Sequence, residues 1–196
     1  MVTIVAVLLS FVATQLKPLQ EMNVQIEKKQ DVLRSVGKAE KVAEVDDKNS
    51  YIDEEFAQYI TESYVVNYQG QPVEADAFEV MLGLNAEIRK AREDRNYPVF
   101  VYSENGDNKY VVPVRGKGLW GPIWGYIALE DDLNTISGAV FDHKGETPGL
   151  GAEINTGWFQ EPFVGKMLFD ESGEFVSVQV VKGGADPASK HQVDAI

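Results

Sequence analysis

The chain has 196 residues, 44% of them hydrophobic and 10% aromatic, enough for one domain with a true core plus an appendage. A formal charge of −13 sets it against nucleic acid and anionic membrane surfaces, which would repel it. The absence of cysteine excludes disulfides, thiolate metal sites, iron–sulfur clusters and cysteine nucleophiles, and is compatible with either side of a bacterial membrane.

Residues Met1 to Leu16 carry no charge and are almost wholly apolar. As a helix, at about 1.5 Å per residue, they cover roughly 24 Å of a hydrocarbon core about 30 Å thick. Two readings are open: the apolar region of a secretory signal, or a partial transmembrane anchor (1–16) whose first turns lie upstream. No basic residue precedes the stretch and no small-x-small cleavage pattern follows it, which favours the anchor. Residues 17–50 read as a juxtamembrane helix and linker. Leu19, Met22, Ile26, Leu33 and Val36 recur at helical spacing, and Gly37 suits a helix stop. Their stripe suits either a partner helix or the chain's own domain.

Residues 51–196 form the expected soluble domain. Ile52, Phe56, Tyr59, Ile60 and Ser63 predict an amphipathic helix over Tyr51 to Tyr64, with Asp53, Glu54 and Glu55 favoured in its first turn by the helix dipole. Val73 to Arg95 reads as strand, then charged helix. From Tyr97 onward short β-rich runs alternate with turn clusters. Val99–Ser103 and Lys109–Val114 flank an Asn-Gly pair at Asn105. Trp124–Leu129 and Thr135–Phe141 flank Glu130 to Asn134, and Phe163–Phe169 and Phe175–Val181 flank Asp170 to Glu174. Three successive hairpins with helices mainly in the N-terminal half predict an α+β fold built on a largely antiparallel sheet with flanking helices. Glu153 to Glu161, carrying Trp158 and Phe159, reads as a short helix or loop.

Chemistry concentrates in His143-Lys-Gly-Glu-Thr-Pro-Gly-Leu-Gly151. Pro148 fixes one dihedral, while Gly149 and Gly151 permit positive φ and close approach of a ligand to the main chain; an ordinary tight turn would use the same residues. Other chemistries find little support. His143 and His191 lack the spacing of metal ligands, no Gly-x-Ser-x-Gly elbow is present, and Gly116-Lys-Gly118 lacks the third glycine and the helix of a dinucleotide fingerprint. NADH is therefore not expected to bind here. Glu104, Asp131 and Asp132 lie in predicted turns and take no assigned role.

Three segments together carry a resemblance: the loop above, Gly118-Leu-Trp-Gly-Pro-Ile-Trp-Gly-Tyr-Ile-Ala-Leu129, and Val181-Lys-Gly-Gly-Ala-Asp186 with Val193-Asp-Ala-Ile196. They resemble the C subunit of the bacterial sodium-translocating NADH:quinone oxidoreductases (Nqr), and more distantly the G subunit of the Rnf complex. The resemblance runs essentially end to end. It implies an FMN-binding domain behind one N-terminal membrane helix, with FMN joined through its phosphate to the threonine of a Ser-Gly-Ala-Thr motif. That motif is expected immediately after Ile196. The internal Ser137-Gly-Ala-Val140 imitates it, but Val140 has no hydroxyl for a phosphoester.

The resemblance makes Trp120, Glu146, Thr147, Pro148, Gly149, Leu150, Gly151, Lys182, Val193 and Asp194 the candidate cofactor residues. An FMN site needs an apolar slot for the isoalloxazine, amide donors for its polar edge and a counter-charge. Trp120 and Leu150 are expected to face the ring, amides of Thr147 to Gly151 to meet the polar edge, and Lys182 to offset phosphate or reduced-flavin charge. The implied function is an electron relay in a sodium-pumping membrane complex, external to the cytoplasmic membrane, matured by a flavin transferase and partnered by the other subunits. The rival readings are an Rnf-type subunit and a flavin-free extracytoplasmic binding or assembly module.

Overall fold

The computed structural model describes residues 2–195. The first element, α1 (Val2–Ser35), is a single helix that runs unbroken through Pro18. Its first 24 described positions to Gln25 are exposed, and its last turns bury Asp31, Val32, Leu33 and Ser35. The stripe seen in the sequence is thus buried only in its C-terminal part: Leu19 and Met22 face outward, whereas Leu33 and Val36 enter the core. Gly37 stops the helix at φ 76°. Its N–H donates to Arg34 O (3.1 Å) and that of Lys38 to Leu33 O (2.9 Å), satisfying carbonyls the helix end would leave bare.

A 3₁₀ turn, Glu40–Ala43, leads to α2 (Lys48–Tyr59), whose first turn is capped by Asp47 accepting from Ser50 N at 3.1 Å. The helix expected to reach Tyr64 ends at Tyr59, because Ile60–Val66 form strand β1. Ile60, Thr61, Tyr64, Val65 and Val66 suit a pleated, half-buried surface, and the helical spacing merely continued across the junction. The stretch 73–95 holds β2 (Pro72–Val73) and two short helices, α3 (Ala77–Leu82) and α4 (Leu84–Glu87).

Strands β3 (Tyr97–Glu104), β4 (Asp107–Lys117), β5 (Pro122–Leu129) and β6 (Ile136–His143) complete a six-stranded sheet in the order β2-β1-β3-β4-β5-β6, antiparallel throughout. The first hairpin turns at Asn105 (φ 54°) and Gly106 (φ 88°), the double positive φ that matches the twist of the strands. One sheet face packs Val111, Tyr126 and Ala128 on Val32 of α1, on Val36 just beyond it and on Met81. The other packs Leu129, Ile136 and Ala139 on Phe159 and Phe163 from the C-terminal segment, where α5 (Gly157–Gln160) follows a 3₁₀ turn at Gly151–Asn155.

The third expected hairpin does not form. Asp170 closes the predicted turn, and Phe169 bridges Phe175, but no ladder extends from it. Instead Asn134 Oδ1 takes the N–H groups of Leu168 (2.9 Å) and Phe169 (2.8 Å), and both Val176 and Ser177 donate to Leu168 O. The residues beyond, β7 (Gln179–Val181), pair in parallel with β8 (Gln192–Asp194).

Candidate functional site

Two loops meet at one end of the sheet. The first, Gly118 to Gly121, joins β4 to β5 and is pinched by Gly118 N–H donating to Gly121 O at 2.7 Å. The second leaves β6 at His143. Strand pairing brings them together, since Ile123 is opposite His143 and Lys144 N–H donates to Pro122 O at 3.0 Å.

The side chain joining the two loops is Glu146, a buried carboxylate in an otherwise exposed segment. Its Oε1 accepts from Trp120 N–H at 2.9 Å and Gly121 N–H at 3.2 Å, while its own N–H donates to His143 Nδ1 at 3.1 Å. Beyond it the Pro-Gly-Leu-Gly turn is built internally. Gly149 sits at φ 74°, its N–H donates to Glu153 Oε1 (2.9 Å), and the N–H groups of Leu150 and Ala152 both donate to Thr147 O. The amides of Gly149 and Leu150 are therefore already engaged, and among the described residues those of Thr147 and Gly151 remain without an internal acceptor.

The apolar side chains of this site point outward. Trp120 is 70% exposed and Leu150 61%, although each belongs to a loop fixed by main-chain hydrogen bonds. Large apolar groups left in solvent on loops whose main chain is fixed suit a flat aromatic ligand laid against them.

The remaining candidates form a second group. Val181 pairs with Asp194 across the β7–β8 ladder, Ala195 N–H donates to Val181 O at 2.8 Å, and Asp194 Oδ1 accepts from Ala185 N–H at 2.5 Å. Asp194 thereby ties down the turn that follows exposed Lys182, where Gly183 and Gly184 take positive φ. Val193 is a core residue, packed with Leu129, Phe159 and Phe163. Val140 of the imitation attachment motif is also buried. An apolar cavity of about 470 Å³, lined among others by Val112, Ile127, Phe141, Phe159 and Phe163, lies on the C-terminal-segment side of the sheet and touches none of the candidate residues.

The FMN-binding domain model matches residues 118–196, the stretch that holds both groups. Over 206 aligned residues the chain is 32% identical to the C subunit of the Na(+)-translocating NADH-quinone reductase of Vibrio vulnificus (strain YJ016), with 97% of this chain and 78% of that protein covered. The chain belongs to the NqrC family, the C subunits of Na(+)-translocating NADH-quinone reductases. A second family member, from Pseudomonas aeruginosa, is 41% identical over 109 residues, 54% of this chain and 41% of that one. The fold agrees as well. The crystal structure of the family member from Parabacteroides distasonis superposes with a TM-score of 0.76 at 41% identity, covering 92% of this chain and 83% of that one. Shewanella oneidensis NqrC gives 0.68 at 28% identity, covering 88% and 83%. The loops just described lie within the stretch matched by the FMN-binding domain model, and FMN is the cofactor of that domain.

What the sequence alone missed is the pair of glycines around Glu146. A side chain at Gly118 would collide with Glu146 Oε1 and Ile123, and one at Gly151 would lie 3.0 Å from Glu146 Oε2. These glycines make room for a carboxylate. For Gly118 only the pairing of two loops 25 or more residues apart in sequence reveals that need, whereas Gly151 stands in the same loop as Glu146.

Proposed function

We propose that this chain is the FMN-carrying electron-transfer subunit of a membrane complex that couples NADH oxidation and quinone reduction to Na⁺ translocation, anchored by α1 with its soluble domain on the external side of the bacterial cytoplasmic membrane. The path of α1 carries this reading. The helix is long and apolar enough to cross a membrane. Followed back from its buried end, it runs along β6: Ser35 lies against Gly138, and further back along the helix the Lys28 ammonium lies 4.6 Å from the ring of Trp124, which pairs with Asp142. The next residues along those strands are His143 and the loop carrying Trp120. The helix that reaches the bilayer thus leaves the domain on the side of the flavin loops.

When bound, FMN supplies reversible electron uptake and release. The protein's part is to hold it: Trp120 and Leu150 offer apolar surface, Thr147 and Gly151 free amides, and Lys182 a cation. Division into an anchor (1–16), a juxtamembrane segment (17–50) and an FMN-binding domain (51–196) belongs to this reading, as does a phosphoester from FMN to the threonine of a Ser-Gly-Ala-Thr motif, set by a flavin transferase. A tether of that kind replaces bulk concentration with a local one of roughly millimolar, so weak side-chain contacts suffice.

Reconstitution tests the reading. Flavin on this chain should stay oxidised when NADH is added to the isolated protein, and become reduced once the other subunits are present. Reduction by NADH alone would make the chain a dehydrogenase, and no reduction in the assembled complex would remove it from the electron path.

A further inference from the structure

We infer that Glu146 is a positioning residue for the flavin, a clasp that fixes the Trp120 wall of the site against the Thr147–Gly151 wall before any cofactor arrives. The inference rests on the flavin reading above. The Trp120 ring is 70% exposed, so packing by neighbours does not fix it. Its main chain is fixed from within. One carboxylate oxygen takes two successive N–H groups, Trp120 at 2.9 Å and Gly121 at 3.2 Å, and hydrogen bonds to an ionised acceptor are about twice as strong as neutral ones.

The clasp is itself anchored. Glu146 N–H donates to His143 Nδ1, and His143 is the last residue of β6, so the carboxylate is referenced to the sheet and not to a free loop. Gly118 and Gly151 bracket it, each lacking the Cβ that would push the carboxylate aside. With Oε1 committed to two amides, Glu146 acts on the flavin through the main chain of Trp120.

The test uses three variants, each with two readouts. Glu146→Ala removes the acceptor, Glu146→Gln keeps a neutral acceptor of the same shape, and Gly118→Ala leaves the carboxylate intact but displaces it. In the flavin-free chain, amide exchange at Trp120 and Gly121 should become roughly tenfold faster in Glu146→Ala and Gly118→Ala, and at most about threefold faster in Glu146→Gln. In flavin-loaded protein made beside a flavin transferase, the first two variants should raise flavin fluorescence and shift the midpoint potential, and Glu146→Gln should restore both towards the parent. Unchanged exchange in Glu146→Ala and Gly118→Ala would overturn the clasp, whatever the flavin does. Faster exchange with an unmoved flavin signal would place the flavin away from Trp120 and overturn its positioning by Glu146. Should Glu146→Ala fail to fold, Gly118→Ala decides by the same two readouts.

Discussion

Gly138 lies against the carbonyl of Ser35, where the last turn of α1 lands on β6. A side chain at this position would collide with that carbonyl, which belongs to the backbone and cannot rotate away. Ser35 is itself buried, and its hydroxyl donates to Val32 O at 2.7 Å. Helix and strand therefore approach as closely as a missing Cβ allows.

Gly138→Ala should accordingly destabilise the domain by about 2–3 kcal/mol, the usual cost of overpacking a rigid contact. In a domain of this size that lowers Tm by roughly 5–10 °C. Thermal unfolding followed by circular dichroism checks this, and an unchanged Tm would mean that α1 and β6 can separate freely.

Asp31 sits in the same seam. Burial pushes its carboxyl up to about 6, with Glu27 and Asp142 adding repulsion and Lys28 and Arg34 acting the other way. The ammonium of Lys28 stands 3.8 Å from Oδ2 and Arg34 3.9 Å from Oδ1, and among the described residues none donates a hydrogen bond to Oδ2. Because the folded state holds this proton more tightly than the unfolded chain, whose Asp titrates near 3.9, the seam is strongest below about pH 4. Stability from this group is lost as pH rises through about 6. Asp31→Asn should then gain about 1–2 kcal/mol at pH 7.5 and little or nothing at pH 4, so the difference from the parent should grow with pH. A difference independent of pH would show that Asp31 is not a buried charge.

The length of α1 required by the domain is equally testable. Deletion through Val24 removes, among the described residues, only exposed ones and should leave a cooperatively folded protein that needs no detergent. Deletion through Val36 also removes buried Val32 and Leu33, together worth roughly 5–9 kcal/mol with Val36, comparable to the whole stability of a typical domain. That protein should not fold. If the shorter deletion aggregated, the exposed part of α1 would be packing on something in the native assembly.

Much of this protein was legible from its residues. Asn105-Gly106 specified its hairpin, because a two-residue turn with both φ positive is decided by the turn residues themselves. Gly37 marked the end of α1 for a similar local reason, and the run of uncharged residues before Lys17 marked an apolar helix, though one that by itself falls short of a membrane span. The Pro-Gly-Leu-Gly loop was legible as a motif, though its residues alone could not separate a flavin wall from an ordinary turn. Where a boundary depended on distant partners, local pattern failed. Ile60 continued a helical spacing and became a strand because Tyr102 was available to pair with it. Phe163 to Val181 contained a proper turn, yet Asn134, more than thirty residues earlier, claimed the N–H groups a hairpin would have used. The functional details followed the same division. Trp120 and Leu150 were visible as residues able to meet a flavin, but Glu146 could be assigned its hydrogen bonds only once β4, β5 and β6 had brought the amides of Trp120 and Gly121 to it. Local dihedral preference is written in neighbouring residues, whereas a buried carboxylate's partners are set by which strands lie side by side.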